Sequence, residues 1–536
     1  MPGKKSRRTA APDAMQLEIF KNIFHSISEE MGAALRRSAF SPNIKERRDY
    51  SCAVYDSAGQ VLAMGDHMPV HLGSMPASVA AARAALAFEP GDIALINDPF
   101  AGGTHLPDLT LVMPVFVDAK RTAHFFVASR AHHADIGGAL AGSMGPAREI
   151  FQEGLRIPPV KIFRKGMVNR EVLSLLLANV RTPLEREGDL TAQIASCRLG
   201  ERRLREVTGK FGTSEASRYA GHLLDYSEKM LRSVLHSLKP GIYRAQDFLD
   251  GDGVSAERLR IRVSIRINAG SVVVDFTGSA PQCAGNVNAV AAIAVSAVYY
   301  VFRCLVREDV PATSGLLRPI SVIVPSGTIV NASPPAAVAG GNVETSQRIV
   351  DTLLRALAKA APERIPAASQ GTMNNFTFGG KAPSRNGLSF TYYETIAGGC
   401  GASRAGDGAS ASHSHMTNSW NTPTEVLEGT YPVRVKQYAI RNGSGGIGRH
   451  RGGDGIVREI EFLSPVEVGL LTDRRETAPY GLFGGRSGKR GKNTLTRGAN
   501  RKVLAGKTSF SARAGDILRI ETPGGGGWGK LGKNMS

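Results

Sequence analysis

Residues 217–278 read SRYAGHLLDYSEKMLRSVLHSLKPGIYRAQDFLDGDGVSAERLRIRVSIRINAGSVVVDFTG, and within them one periodicity replaces another. Up to Leu238 the apolar residues recur at three- and four-residue spacing, and Pro240-Gly241 stops the pattern. This predicts an amphipathic helix over Ser217–Leu238. From Ile242 to Gly278 the period is two: Leu259, Ile261, Val263 and Ile265 alternate with polar residues, and Val272 to Phe276 follow as a second apolar run. That is sheet. Helices and strands in blocks, without regular βαβ alternation, predict a mixed α+β fold of several domains.

The same reading extends in both directions. Toward the N-terminus, Phe20, Ile23, Phe24, Ile27, Met31 and Leu35 mark a helix over Met15–Arg37, with Asp13 as its cap. Strands are predicted near Asp49–Asp56, up to Met64, at Asp92–Asn97, at Leu109–Val117 and at Ala123–Ser129, the last two joined near Asp118. Helices are predicted over Pro76–Phe88, Arg170–Asn179 and Leu190–Lys210. Toward the C-terminus, Val287–Val306 reads as a buried helix, Ile320–Val324 and Ile329 as strands, and Ser346–Ala361 as a helix. From about Ile365 the chain is glycine-rich and strand-like. The expected organisation is a disordered basic tail (1–12), an N-terminal domain (13–240) that holds the candidate site, an α+β middle domain (241–364) and a mostly β C-terminal domain (365–536).

Composition excludes several classes. The 536 residues are 42% hydrophobic and 21% charged, the profile of a globular protein. No apolar run is long enough to span a bilayer, and no apolar segment follows the basic N-terminus, so a cytoplasmic location is expected. Five cysteines without CxxC spacing argue against a disulfide framework or a thiolate zinc site. The net charge of +19 suggests acidic partners. Its densest stretch, Arg486 to Lys502, lacks interleaved aromatics, which argues against nucleic acid. Gly506-Lys507-Thr508 ends like a phosphate-binding loop, but Arg501 stands where its first glycine belongs. Of the 61 glycines, those near His105, near His132 and over Tyr393–Gly408 mark places where close backbone approach to a ligand is expected.

The densest polar constellation is Asn97-Asp98-Pro99-Phe100-Ala101-Gly102-Gly103-Thr104-His105-Leu106-Pro107-Asp108. His105 and Asp108 are three apart in a proline-stiffened loop and could meet one cation. Downstream lie His132, His133 and Asp135; if the preceding strand continues, the two histidines point to opposite faces. Imidazoles with carboxylates suit Zn, Mn or Fe. The alternative is that Asp98 caps a turn, His105 bonds backbone carbonyls and Asp108 caps a loop. Glu46-Arg47-Arg48-Asp49-Tyr50-Ser51 reads by itself as a surface salt-bridge patch. Tyr392 to Gly408, with His413 and His415 beyond it, reads as a glycine-rich surface loop, and Thr522–Gly529 as a C-terminal turn.

These segments also carry a resemblance. Glu30-Met31-Gly32, Arg48 to Ser51, Asn97 to Asp108, His132 to Gly138, Asn179 to Pro183, Asp275 to Gly278, Tyr393 to Gly399, Asn418 to Glu428 and Thr522 to Gly527 occur in this order. Together they resemble the hydantoinase B/oxoprolinase family: B subunits of ATP-dependent hydantoinases, the C-terminal part of 5-oxoprolinases, and the corresponding subunits of acetone carboxylase and caprolactamase. The resemblance implies a hetero-oligomer in which a hydantoinase A-like ATPase subunit uses ATP to phosphorylate a substrate carbonyl. This chain would bind a divalent metal and open a cyclic amide or imide; the alternative within the family is carboxylation of a ketone. It implies Asp49, His105, Asp108 and either His132 or His133 as metal ligands, with His132 preferred. Asp98 and Asp135 become candidates for orienting the histidines or for base catalysis.

Overall fold

The computed structural model describes residues 12–118, 122–307, 309–381 and 387–531. The predicted tail, apart from residue 12, and residues 119–121 of the predicted hairpin lie outside the described residues.

Helix α1 (Ala14–Ser38) begins where the Asp13 carboxylate accepts from the Met15 amide at 2.9 Å, and it buries Phe20, Phe24, Ile27, Met31 and Leu35 along one face. A short turn, α2 (Pro42–Lys45), leads into β1 (Tyr50–Asp56) and β2 (Val61–Met64). Then come α3 (Met75–Ala85), β3 (Ile93–Ile96), β4 (Asp108–Val115), β5 (Phe125–His132), β6 (Val160–Arg164), β7 (Met167–Val168), α4 (Arg170–Ala178), α5 (Pro183–Phe211) and α6 (Thr213–Ser237). The strands form one antiparallel sheet in the order β2-β1-β5-β4-β3-β6-β7. Cys52 and Val54 of β1 join the core beneath α1 and α5, whereas Ala53 and Tyr55 join the core beneath α3. With both faces covered, β4 and β5 are buried at every residue and show no polar alternation.

The decisive stretch folds as its period predicts. After β8 (Gly241–Leu249), β9 (Leu259–Asn268) buries Ile261, Val263, Ile265 and Ile267 and exposes Arg260, Arg262 and Arg266. Burying each aliphatic side chain stabilises by about 1.5–3 kcal/mol, which settles which face of the strand turns inward. β10 (Ser271–Asp275) pairs with β9, and after α7 (Ala291–Leu305), β11 (Ile320–Ile323) pairs in parallel with β10. A π-helical turn over Gly341–Thr345 opens α8 (Ser346–Leu357). Three expectations change. Ile329 lies in a turn, residues 287–290 lie outside the helix, which starts at Ala291, and α5 starts earlier, with Pro183 in its first turn.

The C-terminal part comprises β12 (Asn375–Lys381), β13 (Ser389–Glu394), α9 (Thr424–Thr430), β14 (Val433–Arg441), β15 (Gly455–Phe462), β16 (Val466–Leu471), β17 (Lys492–Arg497), β18 (Asn500–Leu504), β19 (Lys507–Ala512) and β20 (Ile517–Glu521). They build a four-stranded sheet, β13-β12-β16-β19, and a five-stranded sheet, β14-β15-β20-β17-β18. Phe376, Phe378, Tyr392, Phe462 and Leu518 pack between them. The whole is a multi-domain α+β fold. Among the described residues no helix is long and apolar enough to cross a membrane.

The glycines here correct the sequence reading. The segment Thr522–Gly527 is buried and is not a terminal turn. Its main chain bonds to segments remote in sequence: the Gly525 amide donates to Gly453 O at 2.9 Å, the Gly526 amide to Ala368 O at 2.8 Å, and the Ala402 amide to Gly526 O at 2.9 Å. A Cβ on Gly525 would lie 1.9 Å from Cys400 O, and one on Gly399 would lie 1.9 Å from Gly453 O. These glycines therefore serve backbone-on-backbone packing. Cys400 sits among them, and burial pushes its thiol up, away from nucleophilic character.

Candidate metal centre

The centre forms where β1, β4 and β5 lie side by side. Asp108 and His132 are direct cross-strand partners in the antiparallel β4–β5 pair, so their side chains share a face. The His132 amide donates to Asp49 O at 3.0 Å, fixing the residue before β1 beside them. His105 approaches Asp108 from the preceding loop. That loop is held by Asn97, whose side-chain amide donates to Leu106 O at 2.8 Å.

Asp108 is the hub. Its Oδ2 lies 3.1 Å from His105 Nδ1 and 3.4 Å from His71 Nε2, and accepts from the Thr104 hydroxyl at 2.9 Å; its Oδ1 lies 3.6 Å from His132 Nδ1. His105, Asp108 and His132 are all buried, and one ligand atom from each lies within 4.8 Å of the others. Burial pushes the Asp108 carboxyl up, but the facing imidazoles outweigh it and hold the group well below the usual carboxylate range. Burial holds His71 and His132 below the usual imidazole range. Burial raises Asp49. A small cavity at the centre is lined by Asp49, His71, Asp108, His132, Asn342 and Tyr393.

The donor set fits a cation. His132 Nε2 is buried without a hydrogen-bond partner, which is costly for a polar atom left bare, and His105 Nδ1 is turned to the Asp108 carboxylate. Two imidazoles and a carboxylate form a set rich in lone pairs, as a divalent metal requires.

The structure does not bring every candidate to this point. The β5 strand ends at His132, and His133 turns away: its Nε2 lies 2.9 Å from Gln193 Oε1. Asp98 caps the turn Pro99–Ala101 by accepting from the Phe100 amide at 3.0 Å, and lies 3.6 Å from Arg156. Asp135 is fully buried but spent on Arg181 at 2.8 Å and on the amides of Gly137 and Gly142. Neither Asp98 nor Asp135 lines the cavity. His415 lies 3.8 Å from Asp351, outside the centre.

The reading of residues 46–51 as a surface patch is also corrected. Arg47 is fully buried and donates to Tyr393 O and to the Thr395 hydroxyl, each at 3.0 Å. His71 was absent from the candidates because nothing in local spacing links it to Asp108. It arrives through Ser51 of β1, whose hydroxyl lies 2.8 Å from His71 Nδ1. Asn342 and Tyr393 likewise come from remote elements.

An α+β fold built around this enclosed centre places the chain in a known class: it belongs to the hydantoinase B/oxoprolinase family, whose pattern matches residues 13–531. It is similar to 5-oxoprolinase 1 of Arabidopsis thaliana, with 39% identity over 96% of this chain and 42% of the relative. The chain thus spans about two fifths of that protein's length. It superposes on the ATP-dependent caprolactamase of Pseudomonas jessenii with a TM-score of 0.90 and 29% identity, covering 97% of this chain and 92% of the other. It shares its fold with a nucleotide-free acetone carboxylase, with a TM-score of 0.88 and 18% identity over 96% and 76% of the two chains.

Proposed function

We propose that this chain is the metal-binding part of an ATP-dependent amidohydrolase that opens a cyclic amide or imide of the hydantoin or 5-oxoproline type. The observation that carries this reading is the buried His105–Asp108–His132 cluster, in which His132 Nε2 has no hydrogen-bond partner. His105, Asp108 and His132 would hold the cation. When bound, Zn, Mn or Fe would supply Lewis acidity, polarising a substrate oxygen and acidifying water. Asp49, which lines the same cavity, would be a further ligand. Tyr393 and Asn342 line the same cavity.

Phosphorylation of the amide oxygen is assigned to a separate A-like ATPase chain in a hetero-oligomer. Lys507, in the segment resembling a phosphate loop, opens β19 and is committed to Asp473 at 2.7 Å. The ATP dependence of the similar caprolactamase supports an ATP-driven step.

The test is to combine the purified chain with a candidate ATPase subunit and supply hydantoin, 5-oxoproline and caprolactam. Ring opening and ADP release that require both chains and the metal are expected. Incorporation of labelled bicarbonate into acetone without amide hydrolysis would instead support a carboxylase, and no turnover with either chemistry would overturn both.

A further inference from the structure

The turn Gly341–Thr345 is the one π-helical segment among the described residues, and it is set against the metal centre. Such turns widen a helix locally and redirect side chains. This one is firmly seated. The Gly341 amide donates to Asn286 O at 3.1 Å, the Thr345 hydroxyl donates to Val287 O, and a Cβ on Gly341 would lie 1.8 Å from Asn288 O. Two of its side chains lead toward the two histidines.

Asn342 is 4% exposed and lines the central cavity. Its Nδ2 lies 3.5 Å from His105 Nε2, and its Oδ1 is buried without a partner. His105 faces Asp108 through Nδ1, so a ligand bond on that nitrogen leaves the ring proton on Nε2. That proton needs an acceptor. A half-turn of the Asn342 amide brings Oδ1 to Nε2 and turns Nδ2 into the cavity.

Glu344 is fully buried and acts at one remove. Its Oε1 accepts from the Met373 amide at 3.0 Å and from Asn375 Nδ2 at 2.7 Å. Asn375 Nδ2 also donates to Leu471 O at 2.7 Å, so both of its protons are committed. Its Oδ1 is thereby fixed in the opposite direction, where it accepts from the Tyr393 hydroxyl at 2.8 Å. The Tyr393 ring stacks on His132 with centroids 4.5 Å apart and planes 9° from parallel.

We propose that the π-turn is a clamp that positions both imidazoles of the metal centre, His105 through Asn342 and His132 through the relay Glu344–Asn375–Tyr393. The proposal rests on the reading of His105, Asp108 and His132 as ligands. Asn342, Glu344, Asn375 and Tyr393 are positioning residues in it.

The test uses Co2+ as the probe, loaded into metal-stripped full-length protein. Affinity is read by chelator competition, ligand geometry by the visible absorption of the bound ion, and folding by thermal melting. Asn342→Leu keeps the volume and removes the acceptor; Asn342→Asp restores an acceptor. Asn342→Leu is expected to weaken Co2+ binding about 10–100-fold, and Asn342→Asp to recover most of it, with melting unchanged. Tyr393→Phe should shift the absorption band. Combined with Glu344→Leu it should weaken binding no further than Glu344→Leu alone, because both break one relay. If Glu344→Leu does not fold, Glu344→Gln, which keeps an accepting oxygen, takes its place and should bind and absorb as wild type does. Folded Asn342→Leu and Tyr393→Phe with wild-type affinity and spectrum would overturn the clamp alone. A wild-type protein that takes up no Co2+ would overturn the metal reading and the clamp with it.

Discussion

The imidazole of His132 lies flat on the phenol ring of Tyr393, 4.5 Å between centroids and 9° from parallel. His132 ends β5 of the first sheet and Tyr393 belongs to β13 of the third. The contact joins the N-terminal sheet to the C-terminal part of the chain at the centre itself. Arg47 strengthens the junction: its guanidinium lies 4.8 Å from the centroid of the same ring while it donates to Tyr393 O. The centre is therefore complete only in the folded whole.

The first prediction concerns the proposed ligands. His105→Ala and Asp108→Ala should each reduce bound metal from near one per chain to near zero, measured by elemental analysis. Turnover should fall by at least about 100-fold, with the circular dichroism spectrum retained. His133→Ala, by contrast, should keep its metal, since His133 is turned to Gln193.

A second prediction concerns the buried pair Glu394–Arg458. Glu394 Oε1 lies 3.2 Å from Arg458 Nε, and its Oε2 accepts from the Tyr392 hydroxyl at 3.0 Å and from Asn421 at 3.1 Å. Glu394→Ala strands a buried guanidinium and should cost about 3–5 kcal/mol in urea unfolding. Replacing an exposed partner, as in Glu215→Ala on α6, should change stability by less than about 1 kcal/mol.

Glu153 should make stability depend on pH. Burial pushes its carboxyl up to about 8 from an ordinary 4.5, although the Val338 and Ala339 amides donate to it. The folded state thus holds a proton that the unfolded chain releases. This contribution is fully present below about pH 4.5 and is lost as pH rises through about 8. Its amplitude is on the order of a few kcal/mol. Glu153→Gln should flatten the stability profile between pH 5 and 9 by roughly that amount. An unchanged slope in denaturant titrations would assign the dependence elsewhere.

The glycine packing gives a steric prediction. Gly525→Ala would place Cβ 1.9 Å from Cys400 O, where neither backbone can retreat without breaking its hydrogen bonds. It should destabilise by about 3 kcal/mol or more, read as a lowered melting temperature. Gly429→Ala in α9 meets nothing within 4 Å and should be neutral or stabilise by up to about 1 kcal/mol.

Much of this was legible along the chain. The alternation of Leu259 to Ile265 set β9, the three- and four-residue spacing of Phe20 to Leu35 set α1, and the His105–Asp108 pair marked the centre's loop. Choosing between His132 and His133 by geometry needed the β4–β5 register, because adjacent strand residues differ only in the face they take. Arg47 was misread because its charge suggests solvent, whereas its partners Tyr393, Thr395 and Ser419 come from distant sequence.

The sequence by itself determined the order of helices and strands, the α+β class and the family resemblance. These follow from periodicities and motifs that act within a few residues. Tertiary structure decided that His71, Asn342 and Tyr393 meet Asp108 and His132, that Asp98 and Asp135 are held by other partners, and that the C-terminal glycines pack on one another. Those outcomes depend on which backbones can approach and which buried polar atoms find partners. Both are properties of segments brought together by the closed fold, and local spacing carries no record of them.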